Sequence, residues 1–138
     1  MIPHSDDMIL LVEDNEDDVF LMHRALEKAS LAPPMQVAKD GRQALDYLKG
    51  VGKYTDRKAY PLPALIFLDL KLPFVEGFKV LEWIRQQALL KELPVVILSS
   101  SAEESDREKA QQLGAQSFLV KPPTAEMLRE VFRTYPCI

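Results

Sequence analysis

The stretch Pro63-Ala-Leu-Ile-Phe-Leu-Asp-Leu-Lys-Leu-Pro73 decides how the rest of this sequence is interpreted. Its apolar run at residues 64–68 contains no polar residue and ends abruptly at Asp69. An unalternating run of this length, bounded by prolines, is typical of a strand that is covered on both faces of a parallel sheet. Asp69 would then lie at the carboxyl end of that strand, and this is the edge of an open parallel sheet where ligands bind.

Two other apolar runs without alternation also end in polar residues. The run at residues 8–12 is followed by Glu13 and Asp14. The run at residues 95–98 is followed by Ser99. A single acid at the end of a strand often only caps the next turn, but three strand ends of this kind favour a common site.

Helical patterns separate these runs along the chain. The third helix is predicted to continue as far as Ala88, and Thr124 is predicted to cap the last helix, whose apolar face includes Met127. Weaker apolar runs at residues 35–38 and 118–120 complete five strands that alternate with five helices. This alternation predicts an α/β fold of the flavodoxin-like kind, doubly wound around a five-stranded parallel sheet with strand order 2-1-3-4-5.

Length, composition and charge are those of one globular domain. The chain has 138 residues, 47% of them hydrophobic and 28% charged, and its net charge of −4 argues against a non-specific nucleic-acid binder. The one cysteine, Cys137, cannot form a disulfide within the chain, and no run approaches the roughly 18 apolar residues of a membrane span. We therefore expect one cytoplasmic domain over residues 1–138, with its core at about 8–135, no output domain and no membrane segment.

The segment at residues 51–62 has the weakest pattern of the chain. It contains Gly52 and Pro61 and two tyrosines, Tyr54 and Tyr60, each close to a lysine. We interpret it as a solvated loop. A surface on which a partner stacks against the tyrosines is the alternative.

Three carboxylates are predicted to converge at one edge of the sheet. In the order 2-1-3-4-5 the crevice lies between strands one and three, so Glu13, Asp14 and Asp69 would meet there. Two unit charges about 4 Å apart interact by roughly 4 kcal/mol at an effective dielectric near 20, so the cluster requires a cation. Oxygen ligands favour a hard divalent ion such as Mg²⁺. The acids at residues 16–18 are interpreted instead as first-turn residues that the helix dipole stabilises.

A fixed positive charge and a hydroxyl group complete this set. Lys121 follows strand five and Ser99 follows strand four. A metal, an ammonium and a hydroxyl around one carboxylate are what a transferring phosphoryl group needs. A carboxylate such as Asp69 can itself act as the nucleophile and form an acyl phosphate.

Four motifs in this order resemble those of response-regulator receiver domains, and the resemblance covers about residues 8–135. The motifs are Leu-Val-Glu13-Asp14-Asn, Phe-Leu-Asp69-Leu-Lys-Leu-Pro73 with Gly77, Val-Val-Ile-Leu-Ser99-Ser and Leu-Val-Lys121-Pro122. Each motif alone is weak, but all four at these spacings are highly specific. The resemblance implies a two-component signalling protein that is phosphorylated by a sensor histidine kinase and that signals through protein contacts.

The same resemblance implies the roles of the site residues. Asp69 would accept the phosphoryl group, and Lys121 would contact it. Glu13 and Asp14 would hold Mg²⁺ together with Asp69, and the backbone carbonyl of Lys71 would complete the metal's ligands. Many relatives have asparagine where this chain has Lys71, so the lifetime of the phosphoryl group stays open.

The conformational switch is also implied by the resemblance. Ser99 would supply the switch hydroxyl, and Phe118 stands where the family keeps an aromatic residue that changes rotamer with it. The peptide bond before Pro122 is often cis in the family. The long segment before strand three and the acidic start at residues 13–18 are similar to the small regulators of cyanobacterial phytochrome kinases, so the implied kinase is a phytochrome.

Two other functions remain as alternatives. A metal-dependent phosphohydrolase would use Asp69 as its nucleophile, but such enzymes place a second acid two residues later, where this chain has Lys71. A binding module could keep the fold without being phosphorylated. We expect a phosphoacceptor protein rather than an enzyme, because the acids, the hydroxyl and the lysine are all present.

A homodimer is expected through strand five and helix five. Phe132 follows Val131 of the predicted core face and could point away from the sheet. The alternative is that Phe132 lies at the margin of the core.

Overall fold

The computed structural model describes residues 8–135. The strands are β1 (Ile9–Val12), β2 (Met35–Ala38), β3 (Leu65–Asp69), β4 (Val95–Ser99) and β5 (Ser117–Val120). The helices are α1 (Glu16–Lys28), α2 (Gly41–Lys49), α3 (Gly77–Gln86), α4 (Glu104–Gln112) and α5 (Ala125–Thr134), with a short 3₁₀ helix at Gly52–Tyr54. All strand pairs are parallel and the order is β2-β1-β3-β4-β5, so the predicted fold class and topology are confirmed. Cys137, on which the argument about disulfides rests, lies outside the described residues.

The sheet is buried on both faces because its inner strands are apolar at every position before the polar residues that end β3 and β4. Every residue of β1, β3 and β4 is buried. Leu10 and Ile66 belong to a core on the side of α2, α3 and α4, whereas Leu11 and Phe67 belong to a core on the side of α1 and α5. Fully burying such a side chain is worth about 1.5–3 kcal/mol. The unalternating sequence pattern of these strands therefore reflects helices on both sides.

Three side chains start helices where the sequence changes from apolar to polar. Asn15 accepts a hydrogen bond from the backbone N–H of the third residue of α1, and Asp40 does the same for α2. Thr124 accepts one from the N–H of Met127 at 3.1 Å, which confirms the predicted cap of α5. Such caps satisfy backbone donors that the first turn leaves without a partner. Met127 itself is exposed, so the prediction that it lies on the buried face was wrong.

The third helix ends earlier than predicted. The residue after it, Gln87, has an extended backbone with φ −92° and ψ 127°. Ala88 is therefore outside α3 and is exposed, while Leu90 returns to the core. A helical spacing of apolar residues continued past the point where the backbone leaves the helix.

Most of the segment at residues 51–62 is exposed, as expected of a solvated loop, but its tyrosines stack on one another instead of on a partner. The ring centroids of Tyr47, Tyr54 and Tyr60 lie 5.0–5.9 Å apart. Arg57 donates hydrogen bonds to the backbone carbonyls of Tyr47, Leu48 and Tyr60 at 2.8–3.1 Å. Aromatic pairs at these distances and charged hydrogen bonds both stabilise the packed arrangement. The segment is thereby joined to α2 and to the core beneath it.

Phe132 lies at the margin of the core. It packs against the core on the α1 and α5 side, and its ring centroid lies 6.3 Å from that of Phe67. The expectation that Phe132 points away from the sheet was wrong, because the ring faces the sheet. Within residues 8–135, no helix has the length and apolar composition that crossing a membrane would require.

Candidate phosphoryl-transfer site

The strand ends bring the predicted residues to one edge of the sheet. Glu13 directly follows β1, Asp69 is the last residue of β3 and Ser99 is the last residue of β4. In the register of the sheet Asp69 is paired with Leu98, the residue before Ser99. Glu13, Asp69 and Ser99 are 2%, 5% and 3% exposed, although most polar side chains of proteins are at the surface. Buried polar groups at a sheet edge require partners, and these partners define the site.

The Lys121 ammonium group lies at the centre of the site. Its Nζ is 2.6 Å from Glu13 Oε1, 3.0 Å from Asp18 Oδ2 and 3.1 Å from Asp69 Oδ2. The Lys121 side chain is only 11% exposed. Burial by itself lowers the pKa of Lys121, but the carboxylates of Glu13 and Asp18 outweigh burial and raise this pKa above its ordinary value. Lys121 is therefore held as a cation among three acids.

Asp18 is a site residue that the sequence interpretation missed. It was assigned to the helix dipole together with its neighbours Glu16 and Asp17, yet its carboxylate contacts Lys121 across 103 positions of sequence. The available signal was its phase in the helix. Asp18 lies four residues before Met22, which is buried, so the two share the face of α1 that is turned towards the sheet.

Asp69 is held on both of its carboxylate oxygens. Oδ2 accepts a hydrogen bond from Lys121, and Oδ1 accepts one from the backbone N–H of Lys71 at 3.2 Å. The chain turns tightly after β3, where the N–H of Gly77 donates to the carbonyl of Leu70 at 3.0 Å. A Cβ at Gly77 would collide with the backbone carbonyl of Asp69. Glycine at this position allows α3 to begin directly against the end of β3.

Glu13, Asp14 and Asp69 form an acidic cluster that can hold a cation. One carboxylate oxygen of each lies within 4.8 Å of those of the other two, with Asp14 exposed and the others buried. The buried Oε1 of Glu13 has the Lys121 ammonium group as its close partner, at 2.6 Å. Burial raises the pKa of Glu13 to about 7, against the lowering effect of Lys121 and with a further increase from Asp69. One ammonium group does not balance these acids, and an all-oxygen donor set fits a hard divalent cation.

The remaining predicted residues lie nearby on β4 and β5. Ser99 Oγ accepts a hydrogen bond from the N–H of Ser101 at 3.1 Å. Phe118 is opposite Ile97 in the register, two residues before the position opposite Ser99. Its half-buried ring has the Arg107 guanidinium 4.8 Å from its centroid, a cation–π contact that was not predicted from the sequence.

The backbone of the site agrees with the resemblance at one further point. The peptide bond between Lys121 and Pro122 is cis. The Lys71 side chain is exposed, so the residue that departs from the family pattern is not packed into the site.

Comparison with known proteins identifies the family. The family of the response regulator receiver domain matches residues 9–133. The probable methanogenesis regulatory protein FilR2 of Methanothrix harundinacea is 37% identical over 125 residues, which are 88% of this chain and 76% of FilR2. The response regulator Rcp1 of Synechocystis is 34% identical over 126 residues, which are 91% of this chain and 82% of Rcp1.

Solved structures of similar sequence share the fold. The bacteriophytochrome response regulator AtBRR has a TM-score of 0.83 at 41% identity, over 96% of this chain and 94% of AtBRR. The Mn²⁺-bound form of Rcp1 has a TM-score of 0.79 at 31% identity, over 96% of both chains. This chain is therefore similar to single receiver-domain regulators, including one that is associated with a phytochrome.

Proposed function

Because this chain belongs to the response regulator receiver domain family, we propose that Asp69 is the residue on which it accepts a phosphoryl group from a sensor histidine kinase. The observation that carries this proposal is the environment of the Asp69 carboxylate. It is buried, its Oδ2 is 3.1 Å from the Lys121 ammonium, and the carboxylates of Glu13 and Asp14 lie beside it. This arrangement gives a nucleophile a fixed positive charge and a metal site at the same point.

The side chains perform the transfer by positioning and charge. An oxygen of Asp69 forms a bond to phosphorus, and the bond from phosphorus to the donor's histidine nitrogen breaks, so the imidazole departs with the electron pair and takes up a proton. Lys121 compensates the negative charge on the phosphoryl oxygens while the phosphoryl group is transferred to Asp69. The buried edge of the sheet limits water around the acyl phosphate that forms.

Mg²⁺ is the cation that we assign to the acidic cluster. Glu13, Asp14 and Asp69 would hold it, with the backbone carbonyl of Lys71 as a further ligand. When bound, it neutralises phosphoryl charge and orients the oxygens for in-line attack. The support is the close approach of three carboxylates, which form an all-oxygen donor set.

Labelling with acetyl phosphate distinguishes this function from a phosphohydrolase. A response regulator in Mg²⁺ retains one labile phosphoryl group, which intact mass measurement detects. A phosphohydrolase would instead release phosphate many times, and a binding module would do neither. We expect a single added phosphoryl group and no multiple turnover of a phosphomonoester, because Lys71 occupies the place of the general acid.

The signalling partners are part of the same proposal. A phytochrome is the kinase that we assign, because AtBRR is named a bacteriophytochrome response regulator and is 41% identical. The protein then works in the cytoplasm, and it passes the signal on through protein contacts. It catalyses only its own phosphorylation and dephosphorylation.

The switch is expected to depend on Ser99. A phosphoryl group adds about −1.5 to −2 charge with three acceptor oxygens, and the Ser99 hydroxyl can donate to one of them. Shifting the equilibrium between the inactive and the active conformation of the domain from 1:99 to 99:1 needs roughly 5.5 kcal/mol. One hydrogen bond to a charged group supplies about 1.5–3 kcal/mol of this free energy. Phe118 would then turn inward and leave its contact with Arg107.

Ser99→Ala should therefore separate phosphorylation from its structural response. The variant is expected to be labelled on Asp69, but amide exchange at residues 102–118 should change much less with beryllofluoride than in the wild type. Ser100→Ala is the matched control, because Ser100 is exposed and adjacent. The same exchange response in Ser99→Ala and wild type would mean that the switch does not use this hydroxyl.

A homodimer through β5 and α5 is also proposed, although Phe132 does not provide its contact. Support comes from the position of β5 at the edge of the sheet, where no strand of the described residues 8–135 lies beside its outer backbone groups. Sedimentation at tens of micromolar, roughly the range for a modest interface, should detect the dimer with or without beryllofluoride. A monomer under both conditions would remove the proposal.

A further inference from the structure

Lys121 has one carboxylate partner that the cation cluster does not include. Among residues 8–135, its three ion-pair partners are Glu13, Asp18 and Asp69. Glu13 and Asp69 also belong to the cluster that can hold a divalent ion, but Asp18 does not. Asp18 is therefore the carboxylate that stays available to Lys121 when the cluster is filled.

A divalent cation in the cluster changes the forces on Lys121. It competes with the ammonium group for the carboxylates of Glu13 and Asp69, and it repels the ammonium group because both are positive. Without another partner, the flexible four-carbon side chain of Lys121 would move away from the site. The incoming phosphoryl oxygens would then lack the positive charge of the Lys121 ammonium group.

The geometry of Asp18 allows it to hold Lys121 when a divalent cation occupies the acidic cluster. Its Oδ2 accepts a hydrogen bond from Lys121 Nζ at 3.0 Å, and its side chain is 31% exposed, so the pair lies at the rim of the site. The backbone N–H of Asp18 is bound to the Asn15 cap, which fixes the start of the helix. Met22 and Pro123 line the small cavity beside the pair and restrict where the lysine can go.

We propose that Asp18 is a positioning residue that keeps the Lys121 ammonium at the phosphoryl site when a divalent cation competes for Glu13 and Asp69. Asp18 does not touch the phosphoryl group and acts through Lys121. The inference rests on the function proposed above, in which Lys121 contacts the transferred group.

The first test observes Lys121 directly and needs no phosphorylation. In ¹H–¹⁵N NMR spectra with saturating Mg²⁺, a held ammonium group exchanges its protons slowly and gives a signal, which Lys121→Arg identifies by its loss. The signal should be present in the wild type and lost in Asp18→Asn. Its absence from the wild type, or its persistence in Asp18→Asn, would overturn the inference.

Asp17→Asn is the matched control. Asp17 is in the same first turn and is exposed, but it is not among the ion-pair partners of Lys121. Its replacement by asparagine removes the same charge as Asp18→Asn. Effects on the helix dipole and on net charge are therefore shared by the two variants. The Lys121 signal should persist in Asp17→Asn, and an equal loss in both variants would overturn the inference, because the effect would then come from the loss of charge and not from the contact of Asp18 with Lys121.

The second test measures the rate of labelling by acetyl phosphate in Mg²⁺. Loss of a partner that orients a site residue typically costs about 10–100-fold, so we expect Asp18→Asn to be labelled about tenfold more slowly than Asp17→Asn. Asp18→Glu keeps the carboxylate and should recover most of the rate. Equal rates in Asp18→Asn and Asp17→Asn would overturn the inference, whereas a wild type that is never labelled would overturn the proposed function and leave the NMR result to decide on Asp18.

Discussion

Asp69→Asn should abolish labelling by acetyl phosphate in Mg²⁺. The amide has nearly the same shape and can still accept the hydrogen bond from the N–H of Lys71, but it is not a nucleophile for phosphorus. Removing one carboxylate from a crowded acidic cluster also relieves repulsion, so the variant should fold. Intact mass measurement should show the added phosphoryl group in the wild type and none in the variant.

The control for this experiment is Asp17→Asn, which has the same change of charge on an exposed residue. It should be labelled as completely as the wild type. Thermal unfolding of both variants checks that the site is lost and the fold is not. Full labelling of Asp69→Asn would assign the acceptor to another residue and contradict the proposed function.

Removing the cation should have the second large effect. EDTA is expected to stop labelling of the wild type, because Lys121 alone cannot balance the acids and the incoming phosphoryl group.

Among the ligands, Asp14 should contribute more than Glu13. Asp14 is exposed and gives up only water to bind the ion, whereas Glu13 must give up its ion pair with Lys121.

We expect Asp14→Ala to weaken Mg²⁺ binding by about 100-fold, or about 2.8 kcal/mol, and Glu13→Ala to weaken it less. Isothermal titration of Mg²⁺ into each variant measures this difference, and Asp17→Ala controls for the loss of a nearby negative charge. Equal and mild effects at Glu13 and Asp14 would argue against a metal site at this edge of the sheet.

The tertiary structure decided the contacts between segments that are far apart in sequence. Asp18 and Lys121 are 103 positions apart, and nothing in the local pattern around either residue indicates the other. The tyrosine cluster and its Arg57 depend on how α2 meets the segment before β3. Phe132 could be assigned to either side of α5 from sequence, and packing against Phe67 selected the inner side.

The order of strands and helices and the place of the site followed from the sequence by itself. Unalternating apolar runs identify β1, β3 and β4 because both faces of these strands are covered, and the polar residues that end them necessarily lie at one edge of a parallel sheet. This reasoning depends on local periodicity and on a general rule of topology. The ion pair of Lys121 with Asp18 depends on the packing of α1 against α5, a contact between distant segments that only the folded chain specifies.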